Sequence, residues 1–332
     1  MSDTAPPARK PLSHLRVLDL SRVRSGPNCV RVLADFGADV LRIEPPAGVD
    51  PNEVLFAANR DGGDFQNLNR NKRSLTLNLK KPGALDILMR LVAQADVLVE
   101  NFKVGDMQRY GLDYASIKAI NPRLVYCSIT GFGQTGPYAE RAGYDFAVQA
   151  MGGLMSVTGE RDDAGGGPQK VGVAVADLFT GMYATVSILA ALRHVERTGS
   201  GQHIDMALLD TQVAMLANLG ANYLINSPTK PPPGRMGNAH VNIVPYQVFE
   251  VAANTAGERD FLIVAVGNDS QYAKFCECIG HPEWASDERF VRNQGRVIHR
   301  DVLIPMLASA LMAHGKKRIV FAAAQLDPRV MQ

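Results

Sequence analysis

Short apolar runs with polar residues at alternate positions open the chain, and a helical rhythm separates them. His14 to Ser21 (HLRVLDLS) and Ala38 to Glu44 (ADVLRIE) predict strands. Between them Gly26-Pro27 opens a helix, with Pro at its first position, that runs to about Phe36 and ends at Gly37. This β-α-β rhythm continues. Ser74 to Leu79 predicts a strand, and Pro82 to about Gln94 a helix with Leu85, Leu88, Met89 and Val92 on one face. Asp96 to Glu100 and Leu124 to Thr130 predict two more strands, with a short helix carrying Arg109 between them. Strands alternating with helices in this way predict an α/β fold built on a doubly wound parallel sheet, whose ligands bind beyond the carboxyl ends of the strands.

From Val171 to Leu192 the chain carries a single charged group, Asp177. Read as a buried strand or loop over Val171 to Ala176 and a buried helix over Leu178 to His194, the pattern puts Asp177 at the helix N-cap. There backbone N–H groups and the helix dipole favour an anion by about 0.3–1 kcal/mol. A carboxylate held in this way can act as a weak nucleophile toward an activated carbonyl, although the stretch by itself reads first as a cap with no chemistry. A membrane span does not fit, because Asp177, Thr180 and Gly181 interrupt the run and nothing flanks it like a topology signal. After a turn at Gly199-Ser200-Gly201, a long helix is expected from about Met206 to Ile225. The Pro/Gly-rich stretch that follows is the expected domain boundary. The organisation predicted is a large domain over 12–226, a linker over 227–240, a smaller α+β domain over 241–320 and a tail over 321–332. In the smaller domain, Val244 to Val251 and Phe261 to Gly267 read as a strand pair, with helices near Ser270 to Ile279 and Arg300 to Ala313.

Composition narrows the chemistry. A 332-residue chain with 46% hydrophobic and 20% charged residues is of ordinary globular make-up, and a net charge of +2 argues against a general nucleic-acid binder. Cys29, Cys127, Cys276 and Cys278 show no metal-ligand spacing and suggest buried thiols in a reducing compartment. The polar start, Met1 to Pro11, has no apolar signal core, so the expected location is cytoplasmic, off the membrane. The first β-α-β unit invites a dinucleotide reading with Glu44 as the ribose acid. However, the loop Ser21 to Gly26 lacks the GxGxxG pattern that lets a pyrophosphate approach the helix. Lys and Arg residues between Lys72 and Arg109 stand near the loops where ligands bind, either as a solvated face or as partners for a phosphorylated ligand.

A set of longer motifs then carries a resemblance. VLDLS-x5-P, FGADVLRIEPP, NRNKRSLTLNL, DVLVENF-x6-RYGL, SITGFGQTGP, RAGYDF, GGLMSVTG, ADLFTGMYA and GNAHVNIVPYQVFE follow in order over roughly residues 12 to 305. Together they resemble the class III CoA-transferases, the family of formyl-CoA transferase, carnitine CoA-transferases and the α-methylacyl-CoA racemases. GNAHVNIVPYQVFE with AVGNDSQYAKFC looks closest to the succinyl-CoA-dependent dicarboxylate branch. The resemblance implies a Rossmann-like large domain, a smaller α+β domain and interlocked homodimers. It also implies acyl-CoA and a carboxylic acid as small-molecule substrates, with no tightly bound cofactor and no metal.

The same resemblance places Asp177 at the family's catalytic aspartate, which is acylated by the donor thioester and then thioesterified by coenzyme A. Only a carboxylate can play both parts. It implies coenzyme A contacts at Arg24 and Ser25, at Leu77, Asn78, Leu79 and Lys80, at Asn101, Phe102 and Lys103, at Arg109, and at Ala142, Gly143, Tyr144 and Asp145. Tyr144 and Asp145 also belong to the implied catalytic set, as does Gly237 in a glycine segment expected to donate backbone N–H groups to oxyanions or to serve as a hinge. The racemases carry a His at the position of Tyr144, and a phenol of pKa about 10 is poorly suited to removing an α-proton. Racemase chemistry is the alternative enzyme reading, and a catalytically silent CoA-binding homologue is the alternative from another class. Arg24 stands where the family mostly carries Leu, Gln or Ala. Its guanidinium could clamp the distal carboxylate of a dicarboxylate, pair with Asp177 or face solvent. The family's chains continue into a segment that returns to the large domain. The chain as far as Gln332 reads as a shortened copy without that return.

Overall fold

The computed structural model describes residues 10–49, 60–226, 231–316 and 319 of the chain. The expected tail at 321–332 and the first residues of the linker, 227–230, lie outside them. Strands β1 (Arg16–Asp19), β2 (Asp39–Glu44), β3 (Lys72–Thr76), β4 (Val97–Glu100), β5 (Val125–Thr130) and β6 (His203–Ala207) form one parallel sheet. Its order is β3-β2-β1-β4-β5-β6, so the winding reverses between β1 and β4. The helices of this unit are α1 (Ser25–Asp35), α2 (Gly63–Asn69), α3 (Pro82–Val92), α4 (Asp106–Arg109), α5 (Tyr114–Lys118), α6 (Asp145–Met151), α7 (Val175–Thr198), α8 (Leu208–Met215) and α9 (Ala217–Asn226).

Both faces of the sheet are covered, which explains why its central strands are apolar at nearly every position. Val17, Val40, Val97, Val99, Val125 and Cys127 pack beneath Cys29, Val30 and Leu33 of α1 and Ala184 and Ile188 of α7. The alternate residues Leu18, Ile43, Leu98 and Tyr126 pack on the other side with Leu88 and Val92 of α3 and with Leu112 and Ile117. One ion pair is sealed inside. Lys72 Nζ lies 2.8 Å from Asp19 Oδ2, with both side chains buried, and also donates to Pro27 O at 3.1 Å. Asp19 Oδ1 accepts from the Ser21 N–H at 3.0 Å and from the Ser21 hydroxyl. A charge pair from β1 and β3 therefore anchors the loop that leads into α1.

Four expectations change in this unit. Strand β6 takes the place of the turn-to-helix passage expected before Met206, and Leu208 starts α8 directly after Ala207 with no turn residue to mark the change. The single helix expected to Ile225 is two, divided at Leu216-Ala217, where Ala217 has φ +46°. β3 starts two residues and ends three residues earlier than expected, so Leu77 to Lys80 form the turn beyond it. The run from Val171 to Leu192 is not buried throughout. Val173 is exposed, α7 begins at Val175, and Phe179, Met182, Tyr183, Val186 and Leu189 form an exposed apolar stripe on its outer side. α7 is long and apolar enough by composition to cross a membrane, with a mean hydropathy of 1.6 over its best window. Its Ala176, Thr180, Gly181, Ala184, Thr185 and Ile188 side is nevertheless buried, as in a core helix.

Contacts divide the chain into two units, Met1–Ser156 with Gln169–Pro233, and Val157–Pro168 with Gly234–Gln332. The division differs from the contiguous one expected at the linker, because 157–168 joins the second unit. There Arg161 pairs with Asp163 at 2.6 Å and Asp301 at 3.4 Å, Arg235 pairs with Asp162, and the Gly237 N–H donates to Gly159 O at 3.1 Å. This unit holds the antiparallel pair β7 (Tyr246–Val251) and β8 (Asp260–Ala265), with α10 (Asp269–Cys278), α11 (Asn293–Ile298) and α12 (Arg300–Met312). Its core is organised by the fully buried Arg296, which donates to Val244 O at 2.6 Å and Phe290 O at 2.8 Å, pairs with Asp269 at 3.0 Å and lies over the Tyr272 ring. Removing one member of a buried pair leaves an uncompensated charge. Lys72→Met is therefore expected to lower unfolding stability by about 3–5 kcal/mol, measured by denaturant titration.

Candidate active site

At the carboxyl ends of the strands, where the sheet order reverses, lies a cavity of about 610 Å³. This is where a doubly wound sheet opens, because the loops after neighbouring strands leave in opposite directions. Its wall comes from the loop after β1 (Ser21, Arg22 and Val23) with Ser25, the end of β2, helix α2, the loop after β4 (Asn101 to Val104), the end of β5, the segment 139–145, and Asp177.

Asp177 is the third residue of α7, not its N-cap; Ala174 holds that position and makes no side-chain cap. The capping is done from elsewhere. The Asp177 N–H donates to Asp145 Oδ1 at 3.1 Å, Gln149 Nε2 donates to Asp145 Oδ2 at 2.6 Å, and the Val171 N–H donates to Gln149 Oε1 at 2.9 Å. Asp145 and Gln149 are one turn apart on α6, so this short helix fixes the start of α7. With its backbone held, the Asp177 side chain receives a hydrogen bond at Oδ1 from Ser25 Oγ, 2.8 Å away. Ser25 reaches it because Gly181, one turn further along α7, has no side chain. A Cβ there would lie 2.7 Å from Ser25 O and from Asn28 Nδ2.

Burial pushes the Asp177 carboxyl above the usual aspartate range, and the negative charge of Asp145 adds to the rise. The Ser25 hydrogen bond and the Arg24 charge act in the opposite direction. As an anion it is thus poorly solvated and more basic than a free aspartate, which makes it the better nucleophile. The thiols offer no such group. Cys29, Cys127 and Cys276 are buried, and burial pushes the Cys29 thiol up to about 12.

Of the positions implied by the resemblance, Ser25, Asn101, Phe102, Lys103, Ala142, Gly143, Tyr144, Asp145 and Asp177 line the cavity. Gly143 faces Gly131 so closely that a Cβ on either would collide with the other's backbone, and this contact holds Ala142 to Asp145 against the end of β5. Asn101 joins two loops: its Oδ1 accepts from the Arg22 N–H at 2.8 Å and its Nδ2 donates to Arg22 O at 2.7 Å. The Arg22 guanidinium lies over the Phe102 ring, 5.1 Å from its centre. Tyr144 is 67% exposed at the N-terminus of α6. Arg24 is neither turned free to solvent nor paired with Asp177, since its Nη2 lies 2.8 Å from Asp64 Oδ2.

Leu77, Asn78, Leu79, Lys80, Arg109 and Arg24 do not line the cavity. Leu77 and Leu79 pack against the core below α3, and Arg109 pairs with Asp106 at 3.0 Å. Gly237 belongs to the second unit. Sequence reasoning missed Arg42, Arg60, Phe65 and Arg141, all on the cavity wall. Glu44, considered above as a ribose acid, instead pairs with Arg42 at 3.0 Å and Arg60 at 2.6 Å, and both guanidiniums flank the Phe65 ring. A cation near the carboxyl end of β2 was the available signal for Arg42. Arg60 and Phe65 lie in a stretch without periodicity.

Two outcomes follow from the electrostatics. Asp145→Asn removes a negative charge and keeps an acceptor for the Asp177 N–H, so the Asp177 titration should move to lower pH when followed by the ¹³C shift of its carboxyl. The folded protein holds the Asp177 proton more tightly than the unfolded chain does, so this residue's contribution to stability falls as pH rises through the carboxylate range. Asp177→Asn should therefore be more stable than the parent at neutral pH, with the difference shrinking in acid, as read from thermal midpoints.

Comparison with known proteins gives the family of the chain. The sequence family described as CoA-transferase family III matches residues 12–328. A succinate–glutarate CoA-transferase from Agrobacterium fabrum is 47% identical over 325 residues, which make up 96% of this chain and 78% of that protein. A succinyl-CoA:glutarate CoA-transferase from Mus musculus is 41% identical over 302 residues, covering 90% of this chain and 66% of its relative's length. The crystal structure of a CAIB/BAIF family protein from Brucella suis superposes with a TM-score of 0.78 at 44% identity, covering 96% of this chain and 83% of that one. The chain belongs to CoA-transferase family III.

Proposed function

We propose that this protein moves coenzyme A between a donor acyl-CoA and an acceptor carboxylic acid, both of the dicarboxylate class, with Asp177 as the nucleophile. The observation that carries the reading is the Asp177 carboxylate itself: half-buried, raised in basicity, tied at Oδ1 and set on the wall of a cavity with several cations. The dicarboxylate class is supported by the substrates in the names of the two relatives.

In this scheme Asp177 Oδ2 attacks the thioester carbonyl of the donor. The C–S bond breaks, coenzyme A leaves as a thiolate, and an acyl-aspartyl anhydride remains. The thiolate attacks Asp177 Cγ, the Cγ–Oδ2 bond breaks, and the donor acid departs carrying Oδ2. An acceptor carboxylate then attacks Cγ of the aspartyl thioester and expels the thiolate. That thiolate finally attacks the acceptor's carbonyl and returns a free Asp177 carboxylate. Every step exchanges one good leaving group for another, so no proton transfer to carbon is required.

Arg22, Arg42, Arg60, Lys103 and Arg141 supply cationic groups for the pyrophosphate and 3′-phosphate of coenzyme A, which is a substrate here and not a resident cofactor. Arg24 stands behind the wall, paired with the wall residue Asp64, and is the partner assigned to the distal carboxylate, which would take the place of Asp64 in the ion pair. The exposed stripe Phe179, Met182, Tyr183, Val186 and Leu189 is assigned to contact with a second copy of the chain, because a monomer gains nothing from apolar area of this extent in water.

Three measurements test these assignments. Asp177→Ala should lower exchange of label between succinate and succinyl-CoA by at least about 10³-fold, and a variant that exchanges at the parent rate would end the proposal. Arg24→Leu should raise KM for dicarboxylates by about tenfold while sparing monocarboxylates; equal effects on both would remove Arg24 from that role. Val186→Glu should shift the sedimentation coefficient from that of a dimer toward that of a monomer.

A further inference from the structure

Ser25 was implied above as a coenzyme A contact, yet its hydroxyl is committed to Asp177. The oxygen it holds has a distinct fate. In the proposed scheme Oδ2 attacks, enters the anhydride and leaves with the donor acid, whereas Oδ1 stays bonded to Cγ throughout. When the thiolate attacks Cγ, and again when the acceptor attacks it, the carbonyl π electrons move onto Oδ1. We infer that Ser25 is a catalytic residue whose hydroxyl donates to the oxyanion that forms on Oδ1 in the two steps taking place at Cγ. This inference rests on Asp177 being the nucleophile.

The geometry is already in place in the resting protein. Ser25 Oγ is 2.8 Å from Oδ1, and Ser25 is buried, so the donor is shielded from water. The other donor close by, the Asp177 N–H, is used on Asp145 Oδ1. Asn28 Nδ2, one turn along α1, is spent on Leu178 O at 3.3 Å. Ser25 thus donates to that oxygen while these two neighbouring donors are engaged elsewhere. The position of its backbone is fixed from two sides, by the contact with Gly181 and by the Asn101–Arg22 clamp on the same loop. Such a donor is selective between steps. A free carboxylate spreads its charge over two oxygens, while the tetrahedral intermediate at Cγ concentrates it on Oδ1, so the same hydrogen bond strengthens in the transition state. In the first step, where Oδ2 attacks the donor, the charge on the carboxylate is being consumed and the bond gives no such gain.

The test isolates a step at Cγ. The parent and Ser25→Ala are charged with succinyl-CoA, freed of excess donor by desalting, and the aspartyl-CoA adduct on the Asp177 peptide is confirmed by mass. Succinate is then added at saturating concentration and the loss of the adduct is followed by intact-mass spectrometry. Ser25→Ala should lose the adduct about 10²-fold more slowly than the parent, with the acceptor concentration for half-maximal rate unchanged and with Ser25→Thr recovering most of the rate. In the ¹³C-edited infrared spectrum of the charged enzyme, the thioester carbonyl should move to higher frequency in Ser25→Ala, as a carbonyl does on losing a donor. Loss of the adduct at the parent rate, or an unmoved carbonyl band, would overturn the role of Ser25 and leave Asp177 as nucleophile intact. A parent enzyme that forms no adduct at Asp177 would overturn both.

Discussion

The site depends on how closely α1 can approach α7. Gly181 lets the backbone of Ser25 and the side chain of Asn28 occupy the space a methyl group would fill, and Thr185 continues the contact one turn further with a hydrogen bond to Cys29 O at 3.4 Å. Asp177, Gly181 and Thr185 stand on one side of α7 at four-residue spacing, so the contact that buries this side of the helix also carries the carboxylate to the hydroxyl. With the helices further apart, Asp177 would be an ordinary solvated carboxylate near a helix start. Pressed together, they give it one fixed oxygen and little water.

Holding a charge in such a place needs support from other elements. The start of α7 lacks a cap of its own, and Asp145 with Gln149 supplies one at the expense of adding negative charge near Asp177. The two effects of Asp145 oppose each other: it fixes the backbone and makes the carboxylate harder to ionise. Beneath the loop that carries Ser25, the buried Asp19–Lys72 pair ties β1 and β3 to Ser21 and Pro27. The cations further along the wall stand at the ends of β1, β2 and β4, where a parallel sheet exposes loop residues to a ligand.

Much of this architecture was legible in the residues. The alternation of strand and helix predicted the parallel sheet, and a lone carboxylate in a 22-residue apolar run marked Asp177. Other features were not, for identifiable reasons. β6 passes into α8 without a Gly, Pro or Asn to announce the boundary. The cap on Asp177 comes from a residue 32 positions away, and the Ser25 contact spans 152, so neither leaves a local pattern. Apolar content could not tell which side of α7 is buried, since Phe179, Met182 and Val186 are as hydrophobic as the residues facing α1. Charge reading weighed the Lys80 and Arg109 region, while the cavity takes Arg42, Arg60 and Arg141, which only the folded chain brings together.

In the proposed scheme the Asp177 carboxylate trades one of its own oxygens in every cycle, and the Ser25 hydrogen bond to Oδ1, which the packing at Gly181 allows, would leave Oδ2 as the one that reacts. The most direct measurement follows that oxygen. The enzyme is given an unlabelled acyl-CoA donor and an acceptor acid carrying ¹⁸O in its carboxylate, allowed many turnovers, and digested to read the mass of the Asp177 peptide. Transfer through Asp177 predicts ¹⁸O in that side chain. An Asp177 that remains unlabelled while labelled acceptor becomes acyl-CoA would contradict the account.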